Sequence, residues 1–195
     1  MTNKVMSIMV VGVGGQGVIL ASELLCEAAM RMGYDVKKSE IHGMAQRGGS
    51  VVSSVRYGEK VYSPLITKRE ADILLSFEQL ETLRWLDYIK PEGKIVINDQ
   101  RIVPMAVAVG QGEYPDVFGI LNRVTDKVYK LNGPDIAQQV GDIRAVNVAL
   151  VGALSIHLDI PMELWRKVIE SRVPPETLDI NLKAFEMGRT LMKVP

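Results

Sequence analysis

The chain has 195 residues, with 23 Lys and Arg against 23 Asp and Glu, so its formal charge at neutral pH is zero. That balance argues against a broad polyanion-binding face and a general nucleic-acid role, and leaves room for a local basic cluster. Hydrophobic residues at 47% and charged residues at 24% describe one globular domain, residues 1–195, with no apolar run long enough to span a membrane.

Residues 5–11 are short, β-branched and bounded by glycine, which predicts a buried strand. Residues 17–32 form helix that is apolar on nearly every side, and Gly33 ends it. Residues 34–40 read as a second, more polar strand. The alternation around "YGEK" predicts a β-hairpin pairing residues 51–56 with 61–66. Two more buried strands follow at 71–77 and 93–99. Between them, "EQLETLRWLDYIK" (78–90) spaces Leu80, Leu83 and Leu86 along one helical face. A last strand is expected at 127–132. Beyond it the chain turns helical: 133–141 with a first-turn proline, the apolar stretch 145–158, then 161–172 and 175–193, each opened by proline. The class is α/β, closed by a helical C-terminal region.

Gly12, Gly14 and Gly17 satisfy G-x-G-x-x-G between the first strand and the first helix, and Gly15 opens the turn further. Gly12 would permit the tight turn, Gly14 close approach to the backbone, and Gly17 contact between helix and sheet. The helix N-terminus then offers N–H donors and partial positive charge to an anion. Gln16 adds an amide within reach of a ligand or a neighbouring subunit. Two readings stay open, an anion or dinucleotide site and a packing turn. A dinucleotide fold also wants an acid about 20 residues on. Glu40 stands there, but a second glycine loop follows where a crossover helix is expected.

That second loop, "HGMAQRGG" (42–49), puts His42, Gln46 and Arg47 within six positions, among Gly43, Gly48 and Gly49. Arg47 suits forked pairing with a carboxylate or phosphate, His42 a hydrogen bond or proton relay, and Gln46 orientation. Gly48 and Gly49 let the backbone approach the same ligand. A solvated surface loop is the alternative. Elsewhere the chemistry is sparse. Cys26 alone makes no disulfide, thiolate zinc site or iron–sulfur cluster, and points to a reducing cytoplasm. "GDIRAVN" sets Gly141, Asp142 and Asn147 too close together for a thiamine diphosphate and magnesium motif. His157 falls in an apolar helix and reads as a satisfied core histidine, and no metal site is expected.

"VGVGGQGVILASELLCEAA" followed by "EIHGMAQRGGSVVSSVRYG" resembles the gamma-type subunits or domains of the 2-oxoacid:ferredoxin oxidoreductases, and the likeness runs on through "NLKAFEMGR". Pyruvate-type members carry a "GPE-x-RGG" second loop, whereas "HGMAQRGG" is similar to the small (beta) subunit of the indolepyruvate type. The resemblance implies a three-layer Rossmann-like sheet, mostly parallel with a β-hairpin insertion. It implies no cofactor bound by this chain alone. A large (alpha) partner subunit would carry thiamine diphosphate, magnesium and 4Fe–4S clusters. Coenzyme A (CoA) would be the co-substrate and ferredoxin the acceptor, reached through the complex. A homodimer is admitted when the chain is isolated. The open alternatives are a gamma subunit of a pyruvate or 2-oxoisovalerate enzyme, and a stand-alone nicotinamide or flavin enzyme.

Overall fold

In the computed structural model, which describes residues 5–43 and 48–192, the strands are β1 (Met6–Val13), β2 (Asp35–His42), β3 (Ser50–Gly58), β4 (Ala71–Ser76), β5 (Ile89–Asn98) and β6 (Val128–Leu131). The helices are α1 (Val18–Arg31), α2 (Gln79–Arg84), α3 (Met105–Ala108), α4 (Val117–Leu121), α5 (Gly133–Val140), α6 (Val146–Ser155), α7 (Met162–Arg172) and α8 (Leu178–Leu191). The six strands lie in the order β2-β3-β1-β4-β5-β6. β1, β4, β5 and β6 run parallel, while β3 is antiparallel to both β1 and β2.

Alternate residues of β1 serve different cores, as the two-residue period of a strand requires. Ile8 and Val10 join Leu24 of α1, Leu150 of α6, Trp165 of α7 and Phe185 of α8. Met9 and Val11 join Ile95 and Ile97 of β5 and Leu121 of α4 on the other face. Three layers result, with the C-terminal helices concentrated on the first face. Helix α6, apolar except for Asn147 and Ser155, is buried along its whole length, as a helix hydrophobic on every side must be. It meets α8 backbone to backbone. A Cβ on Gly152 would lie 2.1 Å from the Phe185 carbonyl oxygen, and one on Gly188 would lie 2.0 Å from that of Ala149.

The β-hairpin exists, but not where the alternation places it. β3 pairs with β2, His42 opposite Val51, so "HGMAQRGG" is the hairpin connection. Since β1 occupies the other edge of β3, residues 61–66 find no strand to pair with. They form an irregular strap anchored by buried Val61 and Ile66, with Arg56 Nη1 donating to the carbonyls of Ser63 (3.3 Å) and Leu65 (2.9 Å). The helix expected over 78–90 also stops early, at Arg84. Ile89 is needed in the sheet opposite Ala71, and a short 3-10 turn over Leu86–Tyr88 bridges the gap.

His157 lies just beyond α6 and is only half satisfied. Its ring packs on Tyr129 with centroids 4.4 Å apart, Lys94 Nζ donates to Nδ1 at 3.3 Å, and Nε2 has no partner among the described residues. Burial, then the Lys94 charge, push its pKa from 6.5 down to about 4. Between those values the unfolded chain binds the proton and the folded chain does not. The stability this site contributes is therefore complete above pH 6.5 and lost as pH falls toward 4.

Two outcomes follow. Gly188→Ala forces α6 and α8 apart and is expected to cost at least ~1–3 kcal/mol in urea unfolding, so a loss under ~0.5 kcal/mol would contradict this packing. His157→Phe should flatten the fall in urea midpoint between pH 6.5 and 4; an unchanged slope would show that another group governs it.

Candidate functional site

The sheet order reverses at β1, which has β3 on one side and β4 on the other. In an open α/β sheet the crevice outside the carboxyl ends of the strands at such a point is where ligands sit. Here it holds a cavity of about 530 Å³, bounded by Gly15, Gln16 and Gly17 after β1, Phe77 after β4, and Asn98 and Gln100 at the end of β5. The wall opposite comes from the turn leading into α6, including Asp142, Arg144 and Asn147, and from Arg172 at the end of α7.

The first glycine loop reaches this cavity with a division of labour the spacing alone does not reveal. Gly12 is the penultimate residue of β1 rather than a turn, and its missing side chain makes room: a Cβ there would lie 2.8 Å from Gln16 Oε1, Phe77 Cβ and Val18 Cγ2. Gly14 does not offer its amide to a ligand; the N–H donates to the Gly49 carbonyl at 2.8 Å. Gly15 and Gly17 are left to face the cavity. Gly17 adopts φ +88°, and a Cβ on it would strike Asn147 Nδ2 at 2.3 Å, so neither backbone nor space admits a side chain. Helix α1 starts from Gly17 with no side-chain cap and no acid in its first turn, which leaves its positive end open to the cavity.

Gln16 lines the cavity and also ties its floor together. Its Oε1 accepts from Val13 N–H at 2.7 Å, and its Nε2 donates to the Phe77 carbonyl (3.2 Å) and to Gln100 Oε1 (3.1 Å). Asn98, 1% exposed, donates to the same two acceptors and accepts from Gly133 N–H at 2.9 Å.

The second loop joins the first through the Gly14–Gly49 bond, and its stem closes with Gly43 N–H to Ser50 O at 2.9 Å. Ser50 Oγ donates to the buried carboxylate of Glu81, which ties the same stem to α2. Gln46 and Arg47 lie outside the described residues. His42, Gly48 and Gly49 are at the same rim but do not line the cavity. His42 sits at the end of edge strand β2, with Nε2 3.8 Å from Glu40 Oε2. Insertion of β3 carries Glu40 two strand spacings from β1, about 10 Å, where it pairs with Lys38. A dinucleotide held at the first loop therefore loses the acid that would bind its ribose.

The charged groups of the cavity wall are ones sequence reasoning missed or set aside. Arg144 is 79% exposed and pairs with Asp142 at 2.8 Å, and this hydrogen bond holds the Asp142 carboxyl below its ordinary pKa. Arg172 spans to Glu27 (2.8 Å) and Glu23 (3.5 Å), clamping α7 to α1. Arg144, the exposed member of its pair with the largely covered Asp142, is a cation an anionic ligand can recruit. Asp142 and Asn147 belong to the "GDIRAVN" stretch that fails as a cofactor motif, yet it builds this wall. Buried Glu78 is occupied: its carboxylate caps α2 at Glu81 N–H (3.0 Å) and accepts from Ile102 N–H (3.0 Å) and the Tyr114 hydroxyl (3.2 Å). Burial pushes the Cys26 thiol up to about 11, which makes it inert.

Comparison with known proteins agrees with this architecture. An indolepyruvate oxidoreductase subunit from Thermococcus kodakarensis is 40% identical over 191 residues, covering 95% of each chain. The keto/oxoacid ferredoxin oxidoreductase gamma subunit from Geobacter sulfurreducens shares the fold, with a TM-score of 0.72 at 24% identity over 96% of this chain and 98% of that one. So does 2-oxoglutarate:ferredoxin oxidoreductase from Magnetococcus marinus, solved with 2-oxoglutarate, coenzyme A and succinyl-CoA bound, with a TM-score of 0.74 at 23% identity over 97% of this chain and 31% of that one. The pyruvate ferredoxin/flavodoxin oxidoreductase family model matches residues 7–191, so the chain belongs to that family of oxidoreductase subunits.

Proposed function

We propose that the chain is the small subunit of an indolepyruvate ferredoxin oxidoreductase, and that its cavity holds a phosphate-bearing part of coenzyme A. The substrate class rests on two features that agree. One is the "HGMAQRGG" loop; the other is 40% identity, over 95% of each chain, to a subunit named for indolepyruvate. The ligand rests on one observation: the uncapped, acid-free N-terminus of α1 opens with Gly15 and Gly17 into a cavity whose mouth carries Arg144.

The reaction is the oxidative decarboxylation of an aryl pyruvate, with the acyl group passed to coenzyme A and two electrons to ferredoxin. Thiamine diphosphate with magnesium supplies the electron sink for decarboxylation, and iron–sulfur clusters supply the electron path. The residues of this chain do not fit those groups. It has one cysteine, and no cluster of three His, Cys, Asp or Glu among the described residues could hold a metal. Both are therefore assigned to the large subunit. This chain contributes position and charge: α1 and Arg144 hold the anionic co-substrate, while Gln16 and Asn98 keep the strand ends in register beneath it. Among the described residues no helix is long and apolar enough to cross a membrane. We propose a cytoplasmic setting for the complex, on the ground that the chain carries a single cysteine.

Co-expression with the large subunit should yield a complex that oxidises indolepyruvate and phenylpyruvate with kcat/KM at least ~10-fold above pyruvate, consistent with a pocket that discriminates by size. Preference for pyruvate, or full turnover by the 195-residue chain alone, would refute the assignment. In the same complex, Arg144→Ala should raise the KM for coenzyme A by about 10-fold, the effect of one lost charge-assisted contact. An unchanged KM would move the co-substrate elsewhere.

A further inference from the structure

Three carboxamides meet at the cavity floor, and their hydrogen bonds leave one orientation for each. Backbone N–H groups can only donate, so they fix the pattern from its two ends. Gly133 N–H donates to Asn98 at 2.9 Å, which makes the accepting atom Oδ1 and the other Nδ2. Val13 N–H donates to Gln16 at 2.7 Å, which fixes its Oε1 in the same way.

The amino groups of both side chains are thereby committed as donors. Gln16 Nε2 gives one hydrogen to the Phe77 carbonyl and one to Gln100, at 3.2 and 3.1 Å. Asn98 Nδ2 does the same, at 3.2 and 3.1 Å. Gln100 thus faces two donors at one atom, and that atom must be its oxygen. A flipped Gln100 would set an amino group against two others and break both bonds. Its main chain is held as well: Gln100 N–H donates to the Asn98 carbonyl at 2.8 Å, and its own carbonyl accepts from Gln79 N–H at 3.0 Å.

What remains of the side chain is Nε2, with two hydrogens. Gln100 lines the cavity, its oxygen is taken by Gln16 and Asn98, and no group among the described residues accepts from its amino group. We propose that Gln100 is a ligand-binding residue, whose Nε2 donates to a phosphate or carboxylate oxygen of the molecule held in this cavity. This rests on the reading that the cavity takes an anionic ligand. The amide adds direction to that reading. Arg144 supplies charge on an exposed arm, whereas Gln100 offers a neutral donor clamped at one end, which selects for an oxygen placed at the floor.

Gln100→Glu isolates this role. Its carboxylate keeps an oxygen for Gln16 and Asn98, so the internal network survives, but it replaces the cavity donor with a negative acceptor. In the assembled complex we expect a melting temperature within about 2 °C of the parent. We also expect coenzyme A or the oxoacid to bind at least ~10-fold more weakly by titration calorimetry, with a matching rise in KM that exceeds any change in kcat. A loss confined to coenzyme A identifies a phosphate partner, and one confined to the oxoacid identifies a carboxylate; either supports the proposal. Gln100→Leu, which removes the shared acceptor, should lower the melting temperature and thereby confirm the network. If Gln100→Glu leaves both affinities within about two-fold while Arg144→Ala weakens binding, the cavity reading stands and the role of Gln100 is wrong. If neither substitution changes either affinity, both fail together.

Discussion

The Gln16 carboxamide joins the end of β1 to Phe77 beyond β4 and, through Gln100, to the end of β5. Three parallel strands thus finish in fixed register beside the first turn of α1. Little room exists for this arrangement, and Gly12 provides it: any side chain there would displace the amide. Apart from Gln100 Nε2, the polar atoms of the cluster satisfy one another, so losing one strands its partners, at about 1–3 kcal/mol for each buried group left unpaired. The cavity keeps its floor because these amides hold it.

The glycine loops were legible in the sequence because their chemistry is local. A G-x-G-x-x-G between an apolar run and a helix signals a strand–turn–helix whatever it binds, and the helix N-terminus does reach a cavity. Which glycine does what was not legible. The Gly14 amide is taken by Gly49, a partner 35 residues away, and Gly12 is small for the sake of Phe77, 65 residues on. Asn98, Gln100 and Arg144 gave no signal either, since nothing in their spacing marks them; the fold alone brings them together. The hairpin was displaced for a similar reason. Alternation identifies strands, but pairing depends on which edges are free, and β3 had none left for residues 61–66.

The electrostatics fit a subunit that supplies half of a site. The chain is neutral overall, so long-range attraction does not draw an anion to it. The favourable field is local, from one helix end and one arginine at the carboxyl edge of the sheet. The remaining charge near the cavity is spent internally: Arg172 clamps α1 to α7 through Glu27 and Glu23. A weak, directed half-site of this kind gains strength when a second protein excludes water from it, because the same dipoles act at lower dielectric. Family membership is in keeping with that arrangement.

In the proposed arrangement the anionic co-substrate lies against the start of α1. Hydrogen exchange of the assembled complex, with and without coenzyme A, tests it most directly. Added protection is expected only at residues 15–20 and 142–147, with α1 beyond its first turn unchanged. Protection that appears only on the opposite face of the sheet, around Trp85 and Tyr88, would contradict it.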